Sequence, residues 1–199
     1  MDFTIFYRAE RIAEAYKDFF SSGKKILDIG CGNGVVGKII AERFNCEVTG
    51  TDILNYVKTN LPFRPMLRED VLPFADLEFD IAMLNDMLHH MPADNQLKVI
   101  NEALRVARLV LIFEVKPTFY AKFTDWLANK IHQPFMRISF THRDLDGWRA
   151  LLSGRGFDIE YHEVKLFLES KDKKGLRWKF TRMAYYPITN YLLALQKRN

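Results

Sequence analysis

Four short stretches hold the residues whose types and spacing could do chemistry. The first is Asp28-Ile29-Gly30-Cys31-Gly32-Asn33-Gly34-Val35-Val36-Gly37. Alternating glycines let a chain turn sharply from a strand into a helix and bring backbone N–H groups close to a ligand. The second is Asp52, twenty residues after Gly32. A carboxylate there can accept both hydroxyls of a ribose, or serve as the N-cap of a helix. The third is Glu69-Asp70-Val71-Leu72-Pro73-Phe74, and the fourth is Asn85-Asp86-Met87-Leu88-His89-His90-Met91. In the fourth, a neutral His89 or His90 could take a proton from a hydroxyl or amine, or could pack and hydrogen-bond structurally. Adjacent histidines point to different sides and no carboxylate pair completes a ligand set, so no metal site is expected.

The first stretch reads in two registers. Gly32-Asn33-Gly34-Val35-Val36-Gly37 matches the dinucleotide fingerprint G-x-G-x-x-G letter for letter. That fingerprint, however, puts its first glycine directly after the strand. The apolar run Ile26-Leu27-Asp28-Ile29 ends the strand at Ile29, so the first loop glycine is Gly30 and the third position falls on Val35. The pattern fails there. An acidic residue beside the strand end would also repel the pyrophosphate of NAD. The same carboxylate suits a cationic ligand, and S-adenosylmethionine carries both a sulfonium and an α-ammonium group.

The elements that position these stretches alternate between helix and strand from Lys24 to Val164, which argues for an α/β fold with a mostly parallel sheet. Ala9, Ile12, Ala13, Tyr16 and Phe20 recur at helical spacing and predict a helix over 7–20. A strand at 26–29 leads into the loop and a helix at 35–44. Further strands are expected at 46–51, at 65–70, at 79–84 and at 108–115, the last a continuous apolar run covered on both faces. A helix at 93–106 lies between the last two. Thr141-His142-Arg143-Asp144 resembles a capping box that opens a helix, which Gly154 and Gly156 close. Strands over 157–167 and 185–196 are expected to pair as an antiparallel hairpin.

The 199 residues suit one domain, 1–199, with 48% hydrophobic and 27% charged residues. No apolar run is long enough for a transmembrane helix, the N-terminus does not read as a signal peptide, and the two cysteines have no metal-type spacing. A reducing, cytoplasmic setting is the expectation. The net charge of +4 gathers in Lys165 to Lys179 and in Lys197-Arg198. It reads as a solvated surface, or as contact with an anionic substrate or membrane surface. No nucleic-acid motif accompanies it, so no nucleic-acid partner is expected.

Ile26-Leu27-Asp28-Ile29-Gly30-Cys31-Gly32-Asn33-Gly34 resembles motif I of the class I S-adenosylmethionine-dependent methyltransferases, and more narrowly of the small bacterial "type 11" group that includes ubiquinone and menaquinone methyltransferases. The resemblance runs from about residue 8 to the C-terminus. It implies a Rossmann-like sheet of seven strands, mostly parallel with the last antiparallel, and helices on both faces. It implies S-adenosylmethionine as cofactor, bound by Asp28, Gly30, Cys31, Gly32, Asn33, Gly34, Asp52, Ile53, Asp70, Val71 and Asn85. Asp70 would bind the adenine amino group, the Val71 N–H a ring nitrogen, and Asn85 would lie near the methionine moiety. It also implies an N-terminal helix, 1–22, over the cofactor, with Phe3, Phe6 and Tyr7 closing on it, and a substrate lid over 116–140. In that lid Phe119, Phe123, Trp126, Leu127 and Ile131 form one apolar face, flanked by Lys122 and Lys130. Such a face belongs to a core, lines a pocket for an apolar or aromatic acceptor, or touches a membrane surface. His142 and Arg143 could face the same pocket.

The function expected is methyl transfer to a small-molecule acceptor, with His89 or His90 as base if the nucleophile must lose a proton. The competing readings are a protein that binds the cofactor without turnover, and an NAD-dependent oxidoreductase. Asn85-Asp86-Met87-Leu88 lacks the N/D-P-P-Y/F signature of amino-group DNA methyltransferases.

Overall fold

In a computed structural model, residues 3–68, 70–132, 141–164 and 190–198 are described. The chain runs α1 (Phe3–Ala15), β1 (Lys25–Ile29), α2 (Val35–Phe44), β2 (Glu47–Thr51), β3 (Phe79–Asn85), α3 (Ala93–Val106), β4 (Ala107–Val115), α4 (Phe119–His132), α5 (Leu145–Leu152), β5 (Phe157–Val164) and β6 (Asn190–Lys197). A single 3-10 turn, Leu88–His90, lies between β3 and α3. The strands form one sheet in the order β2-β1-β3-β4-β6-β5. β1 to β4 are parallel, and β6 lies antiparallel between β4 and β5.

Period-two alternation with both faces apolar makes this a three-layer molecule. On β3, Ile81 and Met83 face the α1 and α2 side, while Ala82 and Leu84 face α3 and α5. On β4, Leu111 and Phe113 oppose Val110 and Ile112 in the same way. Each of these fully buried side chains other than Ala82 contributes about 1.5–3 kcal/mol. α1 belongs to this core: Ala9, Ile12 and Ala13 are buried on its inner side, and Tyr16 just after it is buried too.

Three expectations are corrected. The first helix spans Phe3–Ala15 and not 7–20. Of the expected strand at 65–70, only a rudiment forms, and it lies earlier. Gly50 N donates to Pro62 O at 2.7 Å, Arg64 N to Gly50 O at 3.0 Å and Met66 N to Asp52 O at 2.9 Å, with one parallel bridge between Gly50 and Phe63. Pro62 and Pro65 have no N–H to donate, which keeps this edge irregular and leaves six strands among the described residues where seven were expected. The cap of α5 is Asp144, whose side chain accepts from Gly147 N at 2.8 Å; Thr141 bonds elsewhere. The outer parts of the predicted hairpin, 165–167 and 185–189, lie outside the described residues.

Candidate functional site

The register brings the carboxyl ends of four strands level. Ile29 pairs with Thr51 and with Leu84, and Asn85 pairs with Phe113. Everything that follows these ends therefore gathers along one edge of the sheet, the edge where open α/β sheets bind ligands. The glycine loop, Asp52, the Asn85–His90 segment and Glu114 all lie there.

β1 ends at Ile29 and α2 begins at Val35, so Gly30 is the first loop glycine and the dinucleotide register is ruled out. Gly37 is a helix residue: a Cβ there would come within 2.9 Å of Leu61 and 3.1 Å of Asp28 Oδ2. The loop is clipped to the end of β2 by Gly30 N and Cys31 N, which donate to Thr51 O at 2.8 and 3.2 Å, and by Gly32 N, which donates to Asp52 Oδ2 at 3.0 Å. Gly34 is the N-cap of α2, Asn33 Oδ1 just before it accepts from Val35 N, and Gly34 N closes the turn onto Cys31 O. Cys31 packs into the core, and burial pushes its thiol up to about 12. Gly32 adopts φ +51°, and a Cβ there would meet nothing within 4 Å. Open space thus lies over the one loop glycine whose N–H is held by Asp52.

Asp28 lies under this loop, 1% exposed. Its Oδ1 accepts from Asn85 Nδ2 at 3.2 Å, and Asn85 Oδ1 in turn accepts from the Tyr16 hydroxyl at 2.6 Å. Its Oδ2 lies against the Gly37 backbone with no donor in hydrogen-bond geometry. Burial pushes the Asp28 carboxyl up to about 7, against the pull of the Asn85 hydrogen bond. A buried carboxylate with one oxygen lacking a partner fits a ligand that brings positive charge.

Asp52 is half-buried, and its other oxygen accepts from Ile53 N at 2.8 Å; Ile53 itself is exposed. Asp70 is held by Arg68 in a two-pronged pair at 3.0 and 2.9 Å, which keeps its carboxyl below the ordinary range. Val71 beside it is exposed, its N–H on Arg68 O.

The histidines occupy a different environment. His89 is 4% exposed, and its Nδ1 is bonded to Glu114 Oε2, itself buried at the end of β4. Glu114 Oε1 accepts from Leu88 N at 2.9 Å. His90 is half-buried with its ring centroid 4.1 Å from that of His89, and His142 stacks on His89 at 4.5 Å. Thr141 N donates to His89 O at 2.9 Å and Thr141 Oγ1 to Met91 O at 2.6 Å. Gln96 of α3 bonds both Leu88 O and Thr141 Oγ1. Arg143 donates to Gln96 Oε1 at 2.7 Å and lies over the Trp148 ring, so its contacts are with α3 and α5.

The predicted apolar face of α4 does not join the core. Phe119 is 87% exposed, and Phe123, Trp126 and Leu127 are exposed too. Phe119 and Phe123 stack at 6.5 Å, and Trp126 follows at 6.1 Å from Phe123. The side chains of Phe3, Lys130 and Ile131 and the lid residues 133–140 lie outside the described residues, as does the basic segment 165–179. Four contributors had escaped the sequence reading: Tyr16 as a polar group, Glu114, the buried Gln96, and the ion pair of Arg8 with Asp86 at 2.6 Å. Glu114 had a signal, the one acid in an apolar strand. Asp86 takes φ +46°, a left-handed conformation that Asp tolerates. Among the described residues no cluster of three potential metal ligands occurs and no helix is long and apolar enough to cross a membrane.

A family model described as a methyltransferase domain matches residues 27–109. An uncharacterized protein of Haemophilus influenzae is 27% identical over 161 residues, 69% of this chain and 60% of the relative. A ubiquinone biosynthesis O-methyltransferase of Stutzerimonas stutzeri is 32% identical over 82 residues, 36% of this chain and 35% of the relative. The chain thus spans less than two thirds of the length of these relatives. Phosphoethanolamine N-methyltransferase 2 of Haemonchus contortus, solved with S-adenosyl-L-methionine, superposes with a TM-score of 0.64 at 16% identity, covering 96% of this chain and 52% of that one. At that identity the likeness shows the fold.

Proposed function

We propose that this chain, which belongs to the class I S-adenosylmethionine-dependent methyltransferases of the type 11 group, methylates an apolar or aromatic small molecule. The observation that carries the reading is the glycine loop with Asp28 beneath it, Asp52 at its side and open space over Gly32. S-adenosylmethionine, when bound, supplies a methyl group already activated on sulfonium. The chain's own task is then to bind, orient and exclude water.

Asp28 would supply negative charge to the cationic end of the cofactor, and Asp52, with lone pairs left beyond its two backbone bonds, would take the ribose hydroxyls. Asp70 would hold the adenine amino group with lone pairs left beyond its Arg68 pair, and the Val71 N–H would have to exchange Arg68 O for a ring nitrogen. Asn85, fixed by Tyr16 and Asp28, would border the methionine moiety. If the acceptor is a hydroxyl or amine, His89 would accept its proton. Glu114 holds Nδ1, which fixes the direction of the ring. The exposed aromatics of α4 support an apolar or aromatic acceptor. So does the relative named for ubiquinone biosynthesis, although it matches only 36% of the chain.

Calorimetry with S-adenosylhomocysteine and with NADH tests the reading. S-adenosylhomocysteine is expected to bind and NADH not; NADH binding without S-adenosylhomocysteine binding would overturn it. Binding of S-adenosylmethionine with no turnover of any quinol, catechol or amine acceptor would favour the binding-protein reading instead.

A further inference from the structure

Tyr16 lies in the turn directly after α1, where the sequence marks only an apolar face, yet its hydroxyl is the start of a buried polar chain. It donates to Asn85 Oδ1 at 2.6 Å, and Asn85 Nδ2 donates to Asp28 Oδ1 at 3.2 Å. Tyr16 is 0%, Asn85 8% and Asp28 1% exposed. We propose that Tyr16 is a positioning residue for the cofactor site: it fixes the direction of the Asn85 amide and, through it, holds Asp28 as the anionic floor of the glycine loop. This inference rests on the proposed cofactor reading.

The argument is one of donors and acceptors. An ionised carboxylate only accepts, so the Asn85 NH2 must face Asp28 and its carbonyl must face Tyr16. That carbonyl then needs a donor, which the phenol supplies. Donation to the carbonyl also polarises the amide and strengthens its N–H···O bond to Asp28. If Asp28 is protonated, it can donate to the Asn85 carbonyl, and the amide turns over to donate to the phenol oxygen. A phenol is a better donor than acceptor, so Tyr16 favours the ionised arrangement. It stays protonated throughout, because burial and then the Asp28 charge hold it well above its ordinary range, with Asp86 and Glu114 adding in the same direction and Arg8 opposing. Asp28 itself is faced by Arg8 of α1, which favours its charge, by Asp52 beyond β2, which opposes it, and by the neutral Cys31 thiol.

The readout is the ratio of affinities for S-adenosylmethionine and S-adenosylhomocysteine. Both carry the α-ammonium group and only S-adenosylmethionine adds the sulfonium charge, so damage to the pocket as a whole weakens both equally, whereas loss of the Asp28 charge weakens S-adenosylmethionine, the more positive of the two, by the larger factor. In the wild-type chain the ratio should rise as pH goes from 6 to 8. Tyr16→Phe should lower the ratio at pH 7 by roughly 3- to 10-fold, the loss of one hydrogen bond's worth of bias, and move the rise to higher pH. Asp28→Asn should give a low ratio independent of pH. Carbon-13 titration of the Asp28 carboxyl in wild type and Tyr16→Phe gives the same answer without ligand, an upward shift being expected. Equal weakening of both ligands in Tyr16→Phe, a flat wild-type ratio, or an unmoved carboxyl titration would overturn the inference and leave the cofactor reading standing. Failure of the wild-type chain to bind either ligand would remove both.

Discussion

The two halves of the candidate site are built in opposite ways. On the cofactor side, the loop from Gly30 to Gly34 is tied at nearly every residue to β2, Asp52 and α2, and Asp28 beneath it is 1% exposed. On the proposed acceptor side, α4 presents Phe119, Phe123 and Trp126 to solvent, and Thr141 is attached to Gln96 and to Met91 beside the His89 turn. The first half is set by backbone geometry, the second by side chains on a helix outside the core. One nucleoside fits the first, whereas the second can change without disturbing the fold.

The largest effects that test this contrast fall on the cofactor side. Gly32→Val puts a branched side chain into the open space over the loop, and Asp52→Ala removes a carboxylate that also holds the loop. Each should cost S-adenosylhomocysteine on the order of 100-fold or more in affinity, the value of losing charge-assisted hydrogen bonds; calorimetry with unchanged affinity in either variant would break the assignment.

Asp28→Asn should separate binding from stability. The folded-state carboxyl sits at about 7, above its unfolded value, so the folded chain holds the extra proton between pH 4 and 7 and wild-type stability falls as pH rises through that window. An asparagine cannot ionise and still accepts from Asn85. Its advantage should therefore grow from pH 4 to 7 and level off above, reaching on the order of a few kcal/mol. Urea melts at pH 5 and 8 measure it, and an advantage that does not grow with pH would contradict the buried-carboxylate account.

Glu114→Gln tests the seam between the halves. It weakens the hold on His89 and on Leu88 N and should lower stability by about 1–3 kcal/mol in denaturant melts. Affinity for S-adenosylhomocysteine should stay within twofold, because Glu114 lies outside the glycine-loop set. The smallest effect is expected on α4: Phe123→Ala, at an exposed position, should change stability by less than about 0.5 kcal/mol and leave cofactor affinity alone. Once an acceptor is known, its KM should rise in that variant while kcat holds.

What could be read from the residues in order follows the same division. β1, the loop and α2 were readable because a strand end, three glycines and an apolar helical face follow one another without a gap, and α3 was readable over Ala93–Val106 because its apolar spacing is strictly helical. The strand expected at 65–70 was misread because its prolines signal a boundary but not which carbonyls of β2 the edge will meet. Thr141 looked like a cap by type, yet Asp144 is the cap, since Thr141 is claimed by Met91 and Gln96 from another part of the chain.

The sequence by itself determined the nucleoside half: the order of elements, the register of the glycines, and acids at 28 and 52. These are local, because a turn's backbone requirements are written in the residues that make it. Only the tertiary structure decided that Tyr16 and Asn85 would meet Asp28, that Glu114 would hold His89, and that the α4 aromatics would face solvent. Those contacts join residues far apart in the chain, 69 positions for Tyr16 and Asn85 and 25 for His89 and Glu114. Periodicity reports which face of an element is apolar. It does not report which buried polar groups the packed layers bring within hydrogen-bond reach.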